Sequence, residues 1–445
     1  MKTKEKQNIQ KEFKEKMDYD ELLNCMRCGF CLPSCPTYIE SGYDEVQSPR
    51  GRIALMKGVV DGVIEPDEEV KRSLDLCLGC RACEPVCPSG VNYGHLLEQA
   101  RDIIYQNQDV SLPAKVLRKT AFEGLFPHQN RMRTMTGLLS FYQRSGIQKA
   151  VRKSGLYKVL PDSLSSMEMI LPQAPKKKDM KNRPRHLKPL TNQKKKVAFF
   201  SGCLMDTLFL STNDATTKLL QYAGCEIVVP ESQNCCGALH GHSGEKDQAK
   251  QLAKKNIQAF EEAEVDYIIT NAGGCGAFLV DYKHLLKDED EWKERAENLS
   301  NKVKDITSVL VELEFHKQPL KLDTQIITYQ DSCHLKNGQR TFMEPRLLLE
   351  SIEDASYVEM EDAGRCCGSA GIYNLVETEM SMQILDYKME KTIETKAKTI
   401  VTANPGCLLQ MKLGIEKEGV SEEMEAVHIV DLLLEAYEKA QVQPV

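Results

Sequence analysis

The stretch CMRCGFCLPSCP (residues 25–36) places four cysteines at offsets of 0, 3, 6 and 10, with a proline directly after the last. A near copy, CLGCRACEPVCP, occupies residues 77–88. Offsets of 0, 3 and 6 let one short turn present three thiolates to a compact metal cluster. The fourth cysteine lies too far along the chain, and the proline after it turns the backbone away. The doubled pattern therefore predicts two clusters within one small domain.

This spacing is the C-x2-C-x2-C-x3-C-P run of [4Fe–4S] ferredoxins, in which the fourth cysteine binds the other cluster. The expected ligand sets are Cys25, Cys28, Cys31 with Cys87, and Cys77, Cys80, Cys83 with Cys35. Zinc is the alternative, but structural zinc sites usually have two C-x2-C pairs separated by a longer loop. Four arginines near the runs are candidates to offset thiolate charge, although we expect most of them to be solvated helix arginines. They are Arg27, Arg50, Arg52 and Arg81.

Length and composition predict a multidomain chain without a membrane span. The 445 residues suggest two to four domains, and a hydrophobic fraction of 41% is enough for globular cores. The apolar runs are too short to cross a bilayer, and the charged start is not a signal peptide. We therefore expect a cytoplasmic protein that can dock at the inner face of the membrane through a partner. In that reducing compartment, seventeen cysteines favour metal or redox chemistry over disulfides.

Charge excludes one class of partner. A net charge of −7 gives no reason to expect nucleic-acid binding. The one strongly basic stretch, residues 175–197, is rich in lysine and proline and is interpreted as a solvated linker. A contact for an acidic partner or a lipid surface is the alternative interpretation of that stretch.

The last 250 or so residues contain an internal repeat, which sets the fold there. The segment CEIVVPESQNCCGALHG of the first copy corresponds to ASYVEMEDAGRCCGSAG of the second, and VDYIITNAGGCGAF corresponds to AKTIVTANPGCLLQ. In each copy, β-rich runs (VAFF, EIVV and YIIT; IITY, YVEM and TIVT) end close to a cysteine and alternate with helical segments. Strands that alternate with helices predict a parallel sheet, whose sites lie beyond the carboxyl ends of the strands.

Each repeat contributes four cysteines in a common register, including an adjacent pair followed by glycine. The two sets are Cys203, Cys235, Cys236, Cys275 and Cys333, Cys366, Cys367, Cys407. Adjacent cysteines are poor at pairing with each other but well suited to one metal centre. We therefore predict that these sets bind one or two further Fe–S clusters. Cys225 opens the strand CEIVV and is expected to be a small buried hydrophobe instead.

The repeats resemble the cysteine-rich CCG domain family, which includes a subunit of the heterodisulfide reductases and iron–sulfur subunits of respiratory dehydrogenases. In the reductase, each module typically ends in C-x-x-C and can hold a non-cubane [4Fe–4S] cluster. This chain departs from that pattern, because Gly276-Ala277-Phe278 follows Cys275 and Leu408-Leu409-Gln410 follows Cys407. The missing second cysteine argues against the non-cubane cluster and against heterodisulfide chemistry.

The whole chain resembles the iron–sulfur subunits of glycolate oxidases, through LLNCMRCGFCLPSCPTY, SPRGRIALM and CLGCRACEPVCPSGV. The resemblance implies an electron-transfer subunit of a flavin-dependent 2-hydroxy-acid (glycolate) dehydrogenase complex. An FAD-binding dehydrogenase subunit would supply the electrons, and a quinone-type acceptor would receive them after two [4Fe–4S] clusters and the CCG site. No glycine-rich dinucleotide motif follows a strand here, so the flavin is expected on the partner alone. Alternatives are a lactate or glycerol-3-phosphate dehydrogenase subunit, and a heterodisulfide-reductase-like enzyme acting at the CCG site.

The predicted fold class is multidomain α+β and α/β, with an N-terminal helical dicluster ferredoxin domain followed by two homologous α/β CCG modules. The expected ranges are 1–110 for the dicluster domain, 111–195 for a helical connector and basic linker, and 196–320 and 321–445 for the CCG modules. Three histidines adjoin the CCG cysteines, namely His240, His242 and His334. They are candidates to donate protons or tune a cluster, but ordinary loop histidines are the simpler expectation.

Overall fold

A computed structural model describes residues 1–155, 165, 168–181 and 183–442. The helices of the amino-terminal part are α1 (Thr3–Lys16), α2 (Tyr19–Leu23), α3 (Pro36–Glu40), α4 (Pro49–Val60), α5 (Glu68–Asp75), α6 (Tyr93–Asn107), α7 (Leu112–Arg118), α8 (Gln129–Arg144) and α9 (Ile147–Ser154). Those of the carboxyl-terminal part are α10 (Leu210–Tyr222), α11 (Ala238–His242), α12 (Lys246–Glu261), α13 (Gly273–Leu285), α14 (Asp290–Lys302), α15 (Ile306–Glu312), α16 (Met343–Glu350), α17 (Tyr373–Val376), α18 (Thr378–Glu394), α19 (Pro405–Glu418) and α20 (Ile429–Gln441).

The strands of the described part of the chain all follow the helices of the amino-terminal part and begin at His186. They are β1 (His186–Leu187), β2 (Lys195–Phe199), β3 (Cys225–Val228), β4 (Tyr267–Thr270), β5 (Val303–Asp305), β6 (Lys321–Gln330), β7 (Glu353–Tyr357), β8 (Thr399–Thr402) and β9 (Glu425–His428).

The dicluster region is helical, and the cysteine runs are wrapped by α1, α4 and α6. Ile9 and Phe13 of α1 and Met56 of α4 are fully buried together, and Cys77 and Cys83 belong to the same apolar core. Helix α4 begins as its sequence predicts. Ser48 accepts a hydrogen bond from the Gly51 amide (3.0 Å), and Pro49 takes the first helical position, where no amide hydrogen is needed.

Two sheets of matching topology follow. The first has the order β1-β3-β2-β4-β5, with β2, β3, β4 and β5 mutually parallel and β1 antiparallel to β3. The second has the order β7-β6-β8-β9 and is parallel throughout. In both sheets the first strand of the repeat, β2 or β6, lies between the next two strands of its copy. The chain therefore adds strands first on one side of it and then on the other. The predicted fold class, with a helical domain before two α/β modules, is confirmed.

One apolar core joins the two modules. Val197 and Ile269 of the first sheet share it with Ile327 and Val401 of the second. Helices α10 and α20 pack together between the sheets. Strands β4 and β8 are short apolar runs because their side chains are covered on both faces, as is usual for parallel sheets.

Two sequence-based predictions of local structure are wrong. The run YVEM (residues 357–360) is not a strand; β7 covers Glu353–Tyr357 and reaches only its first residue. The cause is the partner strand, since pairing with β6 starts at Glu353 and gives a polar edge strand in place of the apolar run. The basic stretch 175–197 is also more than a solvated linker, because β1 adds to the first sheet from within it and β2 begins at Lys195. Residues 156–164, 166–167 and 182 of the predicted connector 111–195, and 443–445 at the end of the second predicted module, lie outside the described residues.

A buried carboxyl group at the end of β5 makes stability depend on pH. Asp305 is almost fully buried, and its Oδ1 accepts from the Thr307 amide (2.9 Å) as the N-cap of α15. Within the described residues its Oδ2 has no hydrogen-bond partner. Burial raises the pKa of Asp305 to about 6.

We expect Asp305→Asn to remove a pH dependence of stability. Because the folded-state pKa lies above the unfolded one, the protein loses stability as the pH rises from roughly 4 to 6, by about 3 kcal/mol in total. The amide keeps an acceptor for Thr307 and carries no charge. In urea, the variant should therefore unfold at higher denaturant concentration than the parent above pH 6, and the difference should vanish near pH 4. Parallel pH profiles would contradict this assignment.

Candidate functional site

The first cysteine run lines a small cavity near the surface. Five of the eight amino-terminal cysteines border it, namely Cys25, Cys28, Cys31, Cys83 and Cys87. Cys28 is exposed, and its neighbours Met26 and Phe30 are 67% and 66% exposed. Burial raises the pKa of Cys31 to about 11, so a thiolate there requires a nearby cation.

A second cavity lies deeper and is lined by Cys35, Cys77, Cys80 and Cys83. All four are buried. The Cys77 Sγ accepts hydrogen bonds from the Gly79 amide (3.4 Å) and from the Tyr93 hydroxyl (3.4 Å). Each cavity therefore brings together three cysteines of one run with the fourth cysteine of the other, and Cys83 borders both. All seventeen cysteines carry free thiols.

Arg52 is not a solvated helix arginine, contrary to the sequence-based expectation. It is 0% exposed and lines the second cavity. Its guanidinium donates to the Ser73 carbonyl (2.7 Å) and to the Thr37 Oγ1 (3.1 Å). Burial opposes ionisation of Cys77, but the charges of Arg52 and Arg101 outweigh it and lower the pKa of Cys77. Arg52 thus supplies positive charge where thiolates collect.

The other three arginines differ from one another. Arg81 is mostly buried, where it donates to Glu84 (2.8 Å) and to Asp281 of the first CCG module (2.5 Å). Arg50 pairs with Glu45 and donates from Nη1 to the Arg27 carbonyl (3.0 Å) beside the first cavity. Arg27 itself is exposed, as expected from the sequence.

In the first CCG module, four thiols converge beyond the carboxyl ends of the strands. Cys203 follows β2, Cys235 and Cys236 follow β3, and Cys275 lies in the first turn of α13 after β4. The thiols lie next to one another in that order, close enough for each to affect the pKa of the next. Gly237 has a φ of +90°, which lets the backbone turn directly after the pair.

Two polar side chains fix this loop from beneath. The Tyr282 hydroxyl donates to the Cys236 carbonyl (2.6 Å), and the Asn256 amide donates to the Cys235 carbonyl (3.0 Å) and to Tyr282 (3.0 Å). Both side chains are fully buried. The paired thiols therefore sit on a rigid hydrogen-bonded base.

The second module repeats the arrangement. Cys333 follows β6, Cys366 and Cys367 lie in the loop after β7, and Cys407 lies in the first turn of α19 after β8. Their thiols lie next to one another in the same order. Gly368 has a φ of +89°, and a Cβ there would stand 2.6 Å from the Ser381 carbonyl oxygen, so only glycine fits.

Lys388 was not identified from the sequence as a site residue, yet it lies fully buried beneath the second pair. Its ammonium donates to the carbonyls of Asp362 (2.6 Å) and Ala363 (3.4 Å). Burial lowers the pKa of Lys388 to about 8, against the opposing charges of Cys367 and Cys366. The only signal in the sequence is a lysine among the core-facing residues of α18.

The two CCG sites face each other across a direct backbone contact. The Gly273 amide donates to the Ala403 carbonyl (3.0 Å), and the Gly274 amide donates to the Asn404 Oδ1 (3.1 Å). The Asn404 amide group in turn donates to the Cys407 Sγ (3.6 Å). Cys275 also packs against the apolar cluster that contains Cys367 and Cys407.

The second module also adjoins the dicluster domain. Cys80 packs in one buried cluster with Cys333 and Cys366. The Asn337 amide donates to the Cys80 carbonyl (2.9 Å), and the Tyr373 hydroxyl donates to the Leu76 carbonyl (3.0 Å). The cysteine sites therefore form a series from exposed Cys28, through the second cavity, to the second CCG module and on to the first.

The three histidines have different surroundings. His240 is a structural residue, since its Nε2 bonds the Phe122 carbonyl (2.8 Å) of the connector. His242 bonds Glu98 (2.8 Å), and its ring lies 5.3 Å from that of His334. The His334 Nδ1 is 3.5 Å from the Cys333 Sγ. Cys225 is fully buried in the sheet core, which confirms its expected role as a small hydrophobe.

The positions where the C-x-x-C motif would place a second cysteine are used for packing. Phe278 is buried and lies against Gly237 and Gly241. Gln410 is buried, accepts from the Asn374 amide (3.1 Å) and donates to the Ser381 hydroxyl (3.1 Å). Each module thus offers four thiols and no fifth at this site.

Comparisons with known proteins agree with this arrangement. Residues 21–91 match the 4Fe-4S dicluster domain family, residues 197–280 and 327–412 match the cysteine-rich domain family, and residues 113–171 match the linker region of the glycolate oxidase iron–sulfur subunit. A "probable glycolate oxidase iron-sulfur subunit" of Bacillus subtilis (strain 168) is 68% identical over 434 residues, which is 97% of this chain and 98% of the relative. The chain belongs to the family of glycolate oxidase iron–sulfur subunits.

Two further relatives of this glycolate oxidase iron–sulfur family member share about a third of its residues over the matched stretches. The glycolate oxidase iron-sulfur subunit of Escherichia coli (strain K12) is 33% identical over 88% of this chain and 90% of that protein. Lactate utilization protein A of Exiguobacterium sp. (strain ATCC BAA-1283 / AT1b) is 32% identical over 55% of this chain and 99% of that protein. The family predicted from the cysteine patterns is confirmed. None of the helices in the described part of the chain is both long and apolar enough to cross a membrane.

Proposed function

We propose that the chain is the electron-transfer subunit of a glycolate-oxidising complex, which takes electrons from an FAD-binding dehydrogenase subunit and passes them to a quinone-type acceptor. The observation that carries this proposal is the unbroken series of cysteine sites from exposed Cys28 to the buried CCG pairs. A flavin that oxidises a 2-hydroxy acid takes up two electrons at once, whereas each [4Fe–4S] cluster accepts and releases one electron at a time. A protein that holds several of them in series suits that conversion.

The residues that would hold the clusters follow from the two cavities. Cys25, Cys28, Cys31 and Cys87 would hold one, and Cys35, Cys77, Cys80 and Cys83 the other. The converging thiols and the buried charge of Arg52 fit such anionic groups. The CCG sets have four thiols each, with Lys388 beside the second set, and fit one further cluster per module.

The rim of the first cavity is the proposed docking site for the flavoprotein. Met26 and Phe30 flank exposed Cys28 and expose apolar surface next to the first proposed cluster. Large exposed side chains grouped at a redox site are typical of a protein interface. Heterodisulfide chemistry is less well supported, because Phe278 and Gln410 occupy the positions of the additional cysteines.

Reconstitution tests the function directly. With its clusters oxidised, the purified chain should not respond to glycolate alone, but its visible iron–sulfur absorbance should bleach when glycolate and the FAD-binding subunit are both present. Bleaching with lactate or glycerol 3-phosphate and their own dehydrogenases, but never with glycolate, would replace the substrate and keep the electron-transfer role. Reduction of a heterodisulfide by the chain alone, with an artificial donor, would overturn the role itself.

Iron analysis tests the CCG sites separately. Two cubane clusters account for about eight iron ions per chain. We expect anaerobic iron and acid-labile sulfide determinations to exceed that number, and Cys236→Ser and Cys367→Ser each to lower the count toward it. A count near eight that neither substitution changes would show that the CCG cysteines are not cluster ligands.

We also propose that the connector binds the inner face of the membrane. Residues 111–155 contain nine lysines and arginines and one acidic residue, in a protein of net charge −7. Four of the nine pair with acidic residues outside this range, which leaves five for a lipid surface; the four are Lys115, Arg118, Arg133 and Arg152. Leu138 and Phe141 of α8 are 59% and 66% exposed. Exposed apolar side chains among basic ones are typical of surfaces that bind anionic lipid.

Vesicle flotation tests this docking surface. The chain should float with vesicles that contain phosphatidylglycerol but not with pure phosphatidylcholine, and added salt should release it. The double variant Leu138→Glu/Phe141→Glu should lose the interaction, whereas Val63→Glu, an 82% exposed position of the dicluster region, should keep it. If the double variant instead blocks assembly with the flavoprotein and leaves flotation unchanged, the surface binds protein and not lipid.

A further inference from the structure

We propose that His95, Asp281 and His284 form a binding site for a divalent transition-metal ion of the zinc type, at the junction between the dicluster region and the first CCG module. The three side chains come from two helices that meet there, α6 and α13. One ligand atom from each lies within 4.8 Å of the other two. The site is separate from the cysteine sets and goes beyond the electron-transfer function.

The spacing of the residues suits metal binding. Asp281 and His284 are three residues apart on α13, so both side chains lie on the same side of the helix. His95 lies in the first turn of α6, and its ring centroid is 4.4 Å from that of His284. Ligand atoms at the usual zinc distances of about 2.0–2.1 Å lie roughly 3.3 Å apart, so small side-chain rotations would close the set.

The hydrogen bonds around the three residues leave their ligand atoms available. The Arg81 Nη1 donates a hydrogen bond to the Asp281 Oδ2. The Asp281 Oδ1 lies 3.9 Å from the His95 Nε2. In the described part of the chain, that Nε2 is buried and has no hydrogen-bond partner. An ion bound there would give this Nε2 a partner.

The charge around the site favours a cation. The three residues line a cavity of about 160 Å³ that is open to solvent. Its other acidic lining residues are Asp18, Glu21, Glu98 and Asp288, against Lys246 and Lys287. Arg81 adds positive charge, but Glu84 binds the same guanidinium (2.8 Å). Two imidazoles and one carboxylate, with an open position for water, are the ligand set that zinc and its neighbours accept.

A bound ion would link the first CCG module to the dicluster region. Helix α13 carries Cys275 in its first turn, and α6 packs against Cys77 and Cys83 in the dicluster core. A bound ion would therefore hold the helix of a CCG cysteine against the dicluster region. Because both histidines lie outside the cysteine sets, the ion can be tested without changing cluster assembly.

Cobalt(II) titration of the cluster-containing protein is the decisive experiment. We expect saturable binding of one Co²⁺, displaced by Zn²⁺, with weak visible d–d bands in the difference spectrum and no intense thiolate-to-cobalt absorption. His95→Ala and His284→Ala should each weaken binding by roughly tenfold or more. His128→Ala, at an exposed position of the connector, is the matched control and should bind like the parent.

Iron content and thermal unfolding complete the test. The iron content of both variants should equal that of the parent, which excludes misfolding, and Zn²⁺ should raise the unfolding temperature of the parent but not of the variants. Thiolate-type absorption, unchanged binding in both variants, or no saturable binding at all would each overturn the site. None of these results depends on glycolate oxidation, so failure here is distinguishable from failure of the proposed function.

Discussion

Replacing Cys35 by serine will remove the cluster of the other cysteine run and leave that of its own run in place. Cys35 is buried beside Cys77, Cys80 and Cys83, and it does not line the cavity of Cys25, Cys28 and Cys31. Its Sγ lies 3.4 Å from the Thr37 Oγ1 and 3.8 Å from the Gln47 carbonyl oxygen, on the inner side of the loop. We therefore expect a loss of about four iron ions per chain.

The reciprocal variant is the control for this assignment. Cys87→Ser should lose the cluster of Cys25, Cys28 and Cys31, because Cys87 lines the first cavity although it belongs to the second run. Electron paramagnetic resonance of the reduced proteins should then show one remaining cluster in each variant, with different spectra. The crossed assignment is wrong if Cys35→Ser and Cys31→Ser leave the same spectrum.

The convergence of the cysteines into sets was predictable from the sequence because it depends on local spacing. Offsets of three residues place thiols on one turn, and the repeat places Cys203 and Cys333 after equivalent central strands. The sequence also predicted the buried role of Cys225, which opens a short apolar strand. In all these cases the decisive neighbours are near in sequence or recur at a fixed offset.

What the sequence did not reveal depends on contacts between distant segments. Asn337 reaches Cys80 across 257 residues, and Arg81 reaches Asp281 across 200. Lys388 has the sequence context of an ordinary helix lysine, and only the packing of α18 places it beneath the second CCG pair. Strand β7 was misplaced for the same reason, since pairing with β6 outweighs the apolar character of the run after it.

Arg52 is the buried charge on which the second cavity depends, and its loss should be severely destabilising. Its three guanidinium nitrogens donate to the Ser73 carbonyl, the Thr37 hydroxyl and the Gln47 side chain at 2.7–3.1 Å. Arg52→Met fills similar volume but leaves these acceptors buried without a donor and removes the cation beside Cys77 and Cys35. We expect a loss of roughly 3–5 kcal/mol in the free energy of unfolding.

A second readout separates the charge of Arg52 from its packing. The guanidinium lowers the pKa of Cys77 and stabilises the more anionic reduced state of the adjoining cluster site, so its removal should shift that site's reduction potential to more negative values. Arg52→Lys keeps the charge but makes fewer hydrogen bonds, and should restore most of the potential while remaining destabilised. Arg72→Met, at an exposed position of α5, is the matched control and should stay within about 0.5 kcal/mol of the parent. If Arg52→Met and Arg72→Met have the same stability and potential, the buried guanidinium has no part in holding the site.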